Sequence, residues 1–130
     1  VRRFRKGEDL LESLTKVAVE EGVEAGSFTG LGTVQHANVG FFKDAGEYST
    51  VSLDGPLEIV ACVGNITLKN HQPFVHAHIT LADERGNAFG GHLMRGSRID
   101  ATFELTIHAY KGMKLVRQLD QDTKLFLINA

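Results

Sequence analysis

The chain has 130 residues, with 14 basic and 16 acidic side chains and a formal net charge of −2. That length fits one domain, expected to span residues 1–130, and 42% hydrophobic content supports a core without disulfides, which a single cysteine, Cys62, could not form internally. The charge balance argues against coating nucleic acid by overall electrostatics, and no apolar run approaches the roughly 18 residues of a membrane span. No signal-peptide pattern opens the sequence, so a reducing, cytoplasmic setting is expected.

The first six residues carry four cations, Arg2, Arg3, Arg5 and Lys6, around Phe4. They read either as an amphipathic first strand or as phosphate contacts. The next segment, residues 7–22, reads as a helix. Leu10, Leu14 and Val17, flanked by Leu11 and Ala18, form a stripe at i, i+3, i+4, i+7 spacing. Glu8 and Asp9 sit where the first turn favours negative charge, and Gly22 supplies a left-handed stop. Nearly everything after Gly26 reads as strand and turn. Candidate strands are residues 23–42, 47–53, 57–68, 74–82, 87–93, 101–110, 115–119 and 124–128. Turn signals separate them, among them Asp54-Gly55-Pro56, Asn70-His71-Gln72-Pro73 and Asp83-Glu84-Arg85-Gly86-Asn87. The short links predict an antiparallel sheet, hence an α+β fold with one main helix. The glycine-rich Gly26–Gly32 segment lacks a following Lys and a helix, so it reads as a bulged or tightly packed strand and not a phosphate loop.

Several strands look apolar on both faces, as Leu57 to Ile66 does. One helix covers one face only. Either the sheet curls to cover itself, or the chain self-associates through the uncovered face.

The chemistry concentrates in histidine. In Phe74-Val75-His76-Ala77-His78-Ile79-Thr80-Leu81-Ala82, alternation puts Val75, Ala77, Ile79 and Leu81 on one face and His76 and His78 on the other. Two residues of strand separate these imidazoles by about 6.6 Å at their start. If residues 88–93 return as a hairpin, Gly90-Gly91-His92 brings a third imidazole alongside. Three histidines with an open fourth position are a zinc-like set. The alternative is three histidines hydrogen-bonded within the sheet. Glu58 and Glu104, carboxylates in otherwise apolar strands, are candidates to orient a histidine or act as a general base; a solvent-facing position is the alternative for each. His108 reads as a polar-face residue, and His36 and His71 as turn neighbours without partners. Cys62 reads as a small buried hydrophobe. Nucleophile and phosphate-loop motifs are absent.

Ser27-Phe28-Thr29-Gly30-Leu31-Gly32-Thr33-Val34, Leu57-Glu58-Ile59-Val60-Ala61-Cys62-Val63-Gly64-Asn65-Ile66, His76-Ala77-His78-Ile79-Thr80-Leu81-Ala82-Asp83 and Gly90-Gly91-His92-Leu93 together resemble the plants-and-prokaryotes conserved (PPC) domain. The resemblance runs from Gly7-Glu8-Asp9 to about Tyr110. It implies a mostly antiparallel sheet, a homotrimer and, in the stand-alone prokaryotic type, zinc held by His76, His78 and His92. In plants the domain follows a basic Arg-Gly-Arg-Pro element that enters the DNA minor groove; this chain has no such element. Three functions therefore remain open. One is a metal site for a small ligand or anion with a regulatory role. Another is DNA binding through Arg2, Arg3, Arg5 and Lys6. The third is a metal-dependent hydrolase or lyase with Glu58 or Glu104 as base. Since no nucleophile or substrate signature appears, binding is expected before catalysis.

Overall fold

In the computed structural model, which describes all 130 residues, the amphipathic stripe becomes helix α1, Leu10–Glu20. It is shorter than the predicted 7–22 because Asp9 caps it from outside: its carboxylate accepts the Glu12 N–H at 3.0 Å. Gly7, at φ +85°, lies off the helical path. At the other end the Gly22 N–H donates to the Val19 carbonyl and the Val23 N–H to the Ala18 carbonyl, a Schellman stop with Gly22 left-handed. Leu10, Leu14, Val17 and Ala18 are buried.

The strands are β1 (Arg2–Arg5), β2 (Gly26–Phe42), β3 (Tyr48–Lys69), β4 (Gln72–Ala82), β5 (Ala88–Leu93) and β6 (Arg98–Ala109). They form one six-stranded sheet in the order β1-β6-β2-β3-β4-β5, antiparallel throughout. The predicted turn at Asp54-Gly55-Pro56 is not a turn. β3 runs through it, with Gly55 and Pro56 together opposing the single residue Gln35, because His36 pairs with Asp54 and Val34 with Leu57. Such a two-for-one bulge uses the same glycine and proline chemistry that marks a turn in sequence. The Asn70-His71 signal is a true hairpin: both residues have positive φ, 51° and 63°, between the paired Lys69 and Gln72.

The sheet curls. β5 closes back on the far end of β2, where Leu93 and His92 pair with Val39 and Gly40. The concave side and α1 share a core containing Leu14, Phe28, Val34, Ile66, Ile79, Leu81 and Phe103. Self-covering is incomplete, because Leu31, Val60 and Val63 keep half or more of their surface exposed. The C-terminal strands β7 (Arg117–Leu119) and β8 (Phe126–Ile128) pair with each other alone. They are tied to the end of β3 by a bridge from Val116 to Leu68 and the Leu68 N–H to Leu115 carbonyl bond. No helix is long and apolar enough to cross a membrane.

Candidate metal centre

β4 has two faces with different tasks. Val75, Ala77, Ile79 and Leu81 are buried on the core side, which leaves His76 and His78 on the convex side. The β4–β5 register pairs His78 directly with His92. That register depends on glycine: a Cβ on Gly90 would lie 2.0 Å from the Ile79 carbonyl oxygen, and one on Gly91 would lie 2.7 Å from that of Gly40. Side chains there would push β5 off its neighbours and take His92 with it. As built, the ring centroids lie 5.1 Å apart for His76–His78, 5.1 Å for His76–His92 and 5.5 Å for His78–His92. One ligating nitrogen from each ring lies within 4.8 Å of the other two.

The electrostatics keep His76 and His92 available as ligands. His76 is held down to about 4, first by burial and then by the charges of His92, Arg117 and His78. His92 is also lowered, first by burial and then by His78 and Arg117. Both rings are therefore neutral at pH 7, with a lone pair to give. His92 Nδ1 is buried and has no hydrogen-bond partner. Buried polar atoms are nearly always satisfied, so this orphan is the local sign of a missing partner. A set of three imidazoles suits zinc, copper, iron or nickel rather than magnesium or calcium.

For Glu58 and Glu104 the solvent-facing alternative holds. Glu58 and Glu104 are exposed and share a shallow depression with Thr33 and Thr102; neither bonds a histidine. The register explains why. His78 pairs with Val63, five residues along β3 from Glu58, roughly 16 Å away. Glu104 lies on β6, three strands from β4, about 14 Å across the sheet. The group beside the trio is Arg117, which is 7% exposed. It donates through Nε to Thr67 Oγ1 (2.8 Å), through Nη1 to the Phe126 carbonyl (2.9 Å) and through Nη2 to Asn65 Oδ1 (2.8 Å). Its Nη2 also stands 3.5 Å from His76 Nδ1, at the limit of a hydrogen bond. A cation at an inward position of the short strand 115–119 was the sequence signal for it.

The remaining expectations divide. His108 and His71 are exposed. His36 does have partners, contrary to expectation: Nδ1 meets Asp54 Oδ1 at 2.8 Å and Nε2 meets Asn38 Oδ1 at 3.1 Å, because the bulge that replaces the turn sets Asp54 opposite it. Cys62 is fully buried, its thiol pushed up to about 12 by burial, and so is unreactive. At the N-terminus Arg2 pairs with Glu21, Lys6 pairs with Asp100 at 2.8 Å, and Arg3 lies across from Glu104. Two of the four cations, Arg2 and Lys6, are thus paired within the chain.

The model of the Plants and Prokaryotes Conserved (PCC) domain matches residues 1–111. The chain belongs to that family. A solved member of the Plants and Prokaryotes Conserved family, the plant- and prokaryote-conserved protein of Pyrococcus horikoshii, superposes with a TM-score of 0.91 at 33% identity, covering 99% of this chain and 89% of that one. A protein of Archaeoglobus fulgidus described as metal-containing superposes with a TM-score of 0.89 at 30% identity, covering 99% and 91%. A protein of Ralstonia eutropha, provisionally described as DNA-binding, gives 0.89 at 25% identity, covering 98% and 88%. Among curated sequences, a bifunctional protein GlmU of a Synechococcus strain is 30% identical over 122 residues. The chain spans only 18% of the length of that relative.

Proposed function

We propose that this family member is a homotrimeric metal-binding protein in which His76, His78 and His92 hold a zinc ion and leave a position open for a small ligand or anion, in a regulatory or ligand-sensing role. The observation that carries the reading is the convergence of three imidazoles from adjacent strands, one with an orphaned buried nitrogen. The relative described as metal-containing supports it. When bound, zinc would supply a Lewis acid able to polarise an oxygen ligand. Strand pairing sets the three rings side by side, and burial with nearby positive charge keeps His76 and His92 neutral. No Asp or Glu lines the cleft beside the histidines, which favours binding over hydrolysis. The half-exposed Leu31, Val60 and Val63 support assembly through the convex face; the trimer follows the family resemblance. A single domain over residues 1–130 and a cytoplasmic setting complete the proposal.

An anomalous scan at the zinc edge on crystals of untagged protein, with metal analysis and sedimentation, tests it. About one zinc per chain, lost in His78→Ala, is expected. Zinc far below that level and unchanged by His78→Ala would refute the metal site, and a monomer at micromolar concentration would refute the trimer.

A second reading, DNA binding through Arg2, Arg3, Arg5 and Lys6, draws support from the relative provisionally described in those terms. The internal pairing of Arg2 and Lys6 weighs against it.

A further inference from the structure

Beside the histidines lies a cleft of about 270 Å³ lined by His76, His92, Tyr48, Phe74, Arg117 and Phe126, with Lys69 and Lys124 at its walls. We infer that this cleft binds a small organic oxyanion, a carboxylate or phosphate ester on a flat apolar body, with its charged end between the metal position and Arg117. The inference rests on the metal reading for one of its two anchors; Arg117 is the other.

Charge carries the argument first. No Asp or Glu lines the cleft. Arg117, Lys69 and Lys124 take part in none of the chain's ion pairs. The guanidinium's short-bonded partners, Thr67 Oγ1, Asn65 Oδ1 and the Phe126 carbonyl, are all uncharged. Buried charges are normally paired, and this one is not. A divalent ion on the histidines would add two more positive charges. Of the five guanidinium N–H groups, three make short bonds, and one on Nη1 has no acceptor. An anionic oxygen would satisfy that donor and neutralise the wall.

Shape and composition carry the rest. Aromatic rings form the sides, held by cations: Lys69 Nζ lies 4.1 Å from the Phe126 centroid and 5.3 Å from that of Phe74, and Arg117 Cζ lies 5.1 Å from the Phe74 centroid. Apolar walls with a few converging polar groups are the usual form of a small-molecule site. The volume falls just under the roughly 300–1,000 Å³ of drug-sized pockets, which selects a small ligand. Arg117, Lys124 and Phe126 lie beyond residue 111, where the family model ends. The site thus joins the sheet that the family model covers to the C-terminal strands that follow it.

Calorimetric titration of the zinc-loaded full chain with benzoate, phenyl phosphate and benzylamine, at about 0.15 M salt, tests the inference. One or both anions should bind and the isosteric cation should not; the two anion arms tell carboxylate from phosphate. Arg117→Lys should weaken the anion about tenfold or more, through loss of planar bidentate geometry. Lys124→Glu, at an exposed position that does not threaten folding, should weaken it as well. Equal binding of benzylamine, no anion binding to protein that carries zinc, or unchanged affinity in both variants would overturn the inference while leaving the metal site intact. Anion binding to a chain that takes up no zinc would retain the Arg117 anchor and refute the metal reading instead.

Discussion

His78→Ala separates the metal reading from mere stability because His78 is the most exposed of the three rings. It has no hydrogen-bond partner to strand and no core contact to lose, so the metal-free variant should lie within about 0.5 kcal/mol of the parent. An unfolding entropy of about 2.1 cal/mol/K per residue amounts to about 0.27 kcal/mol/K for 130 residues. Zinc at about 100 times its Kd stabilises the folded state by about 2.7 kcal/mol. That corresponds to a rise of about 10 °C in Tm for the parent. In His78→Ala the rise should largely vanish, while the chelator-treated Tm moves by less than about 2 °C. Differential scanning calorimetry with zinc and with chelator measures both quantities. A zinc-induced rise that survives the substitution would refute the site. A chelator-treated variant that melts lower by the full amount would show His78 to be structural and refute the reasoning from exposure.

Other outcomes follow from named contacts. With chelator present, stability should be complete above about pH 6.5, the unfolded value for histidine, and should fall as pH drops towards 4. His76 and His92 have depressed values in the fold, so the unfolded chain binds more protons across that window. Melts from pH 4 to 8 should show this slope, and it should flatten in His76→Asn. Gly30→Ala should destabilise by about 1–3 kcal/mol through overpacking, since its Cβ would sit 2.1 Å from the tip of the buried Phe103 ring, itself stacked on Phe4; urea unfolding measures it. Asp9→Ala should cost about 2 kcal/mol or more, because one carboxylate caps Glu12 N–H and also takes the Gly96 N–H at 2.6 Å. Any duplex DNA binding should show a log K against log salt slope shallower than about −2, not the roughly −3.6 that four free cations would give, and mobility shifts at two salt concentrations distinguish these values.

The parts of the molecule legible in sequence were those with a strict period. The helix stripe and the Val75–Leu81 alternation placed α1 and both faces of β4 correctly, and hairpin logic returned His92 to His78. What failed was punctuation and distance. Gly55-Pro56 reads identically as a turn or as a bulge inside a long strand, and only the partner strand decides. Glu58 and Glu104 looked suited to orient a histidine because sequence shows alternation along a strand but not how far along it, or how many strands away, a residue ends up. Arg117 was missed for the same reason: its neighbours Thr67, Asn65 and His76 lie 41 to 52 residues away in the chain.

Those long separations divide the labour at the site. The imidazoles come from two adjacent strands of the family sheet, fixed by backbone pairing and by the glycines that allow it. Two of the three wall cations, Arg117 and Lys124, come from a separate two-stranded unit docked on the end of β3, and Lys69 ends β3 itself. Arg117 joins the two, anchored to β3 through Thr67 and Asn65 and to β8 through the Phe126 carbonyl. Its charge helps hold His76 neutral, ready to ligate, and the same charge lacks a counter-ion of its own. One residue therefore ties the state of the ligating ring to the presence of an anion. An anion that neutralised Arg117 would weaken its push on His76 and raise that ring's affinity for protons, while adding negative charge beside the metal position. Metal and anion should accordingly favour each other's binding, since linkage makes such coupling reciprocal.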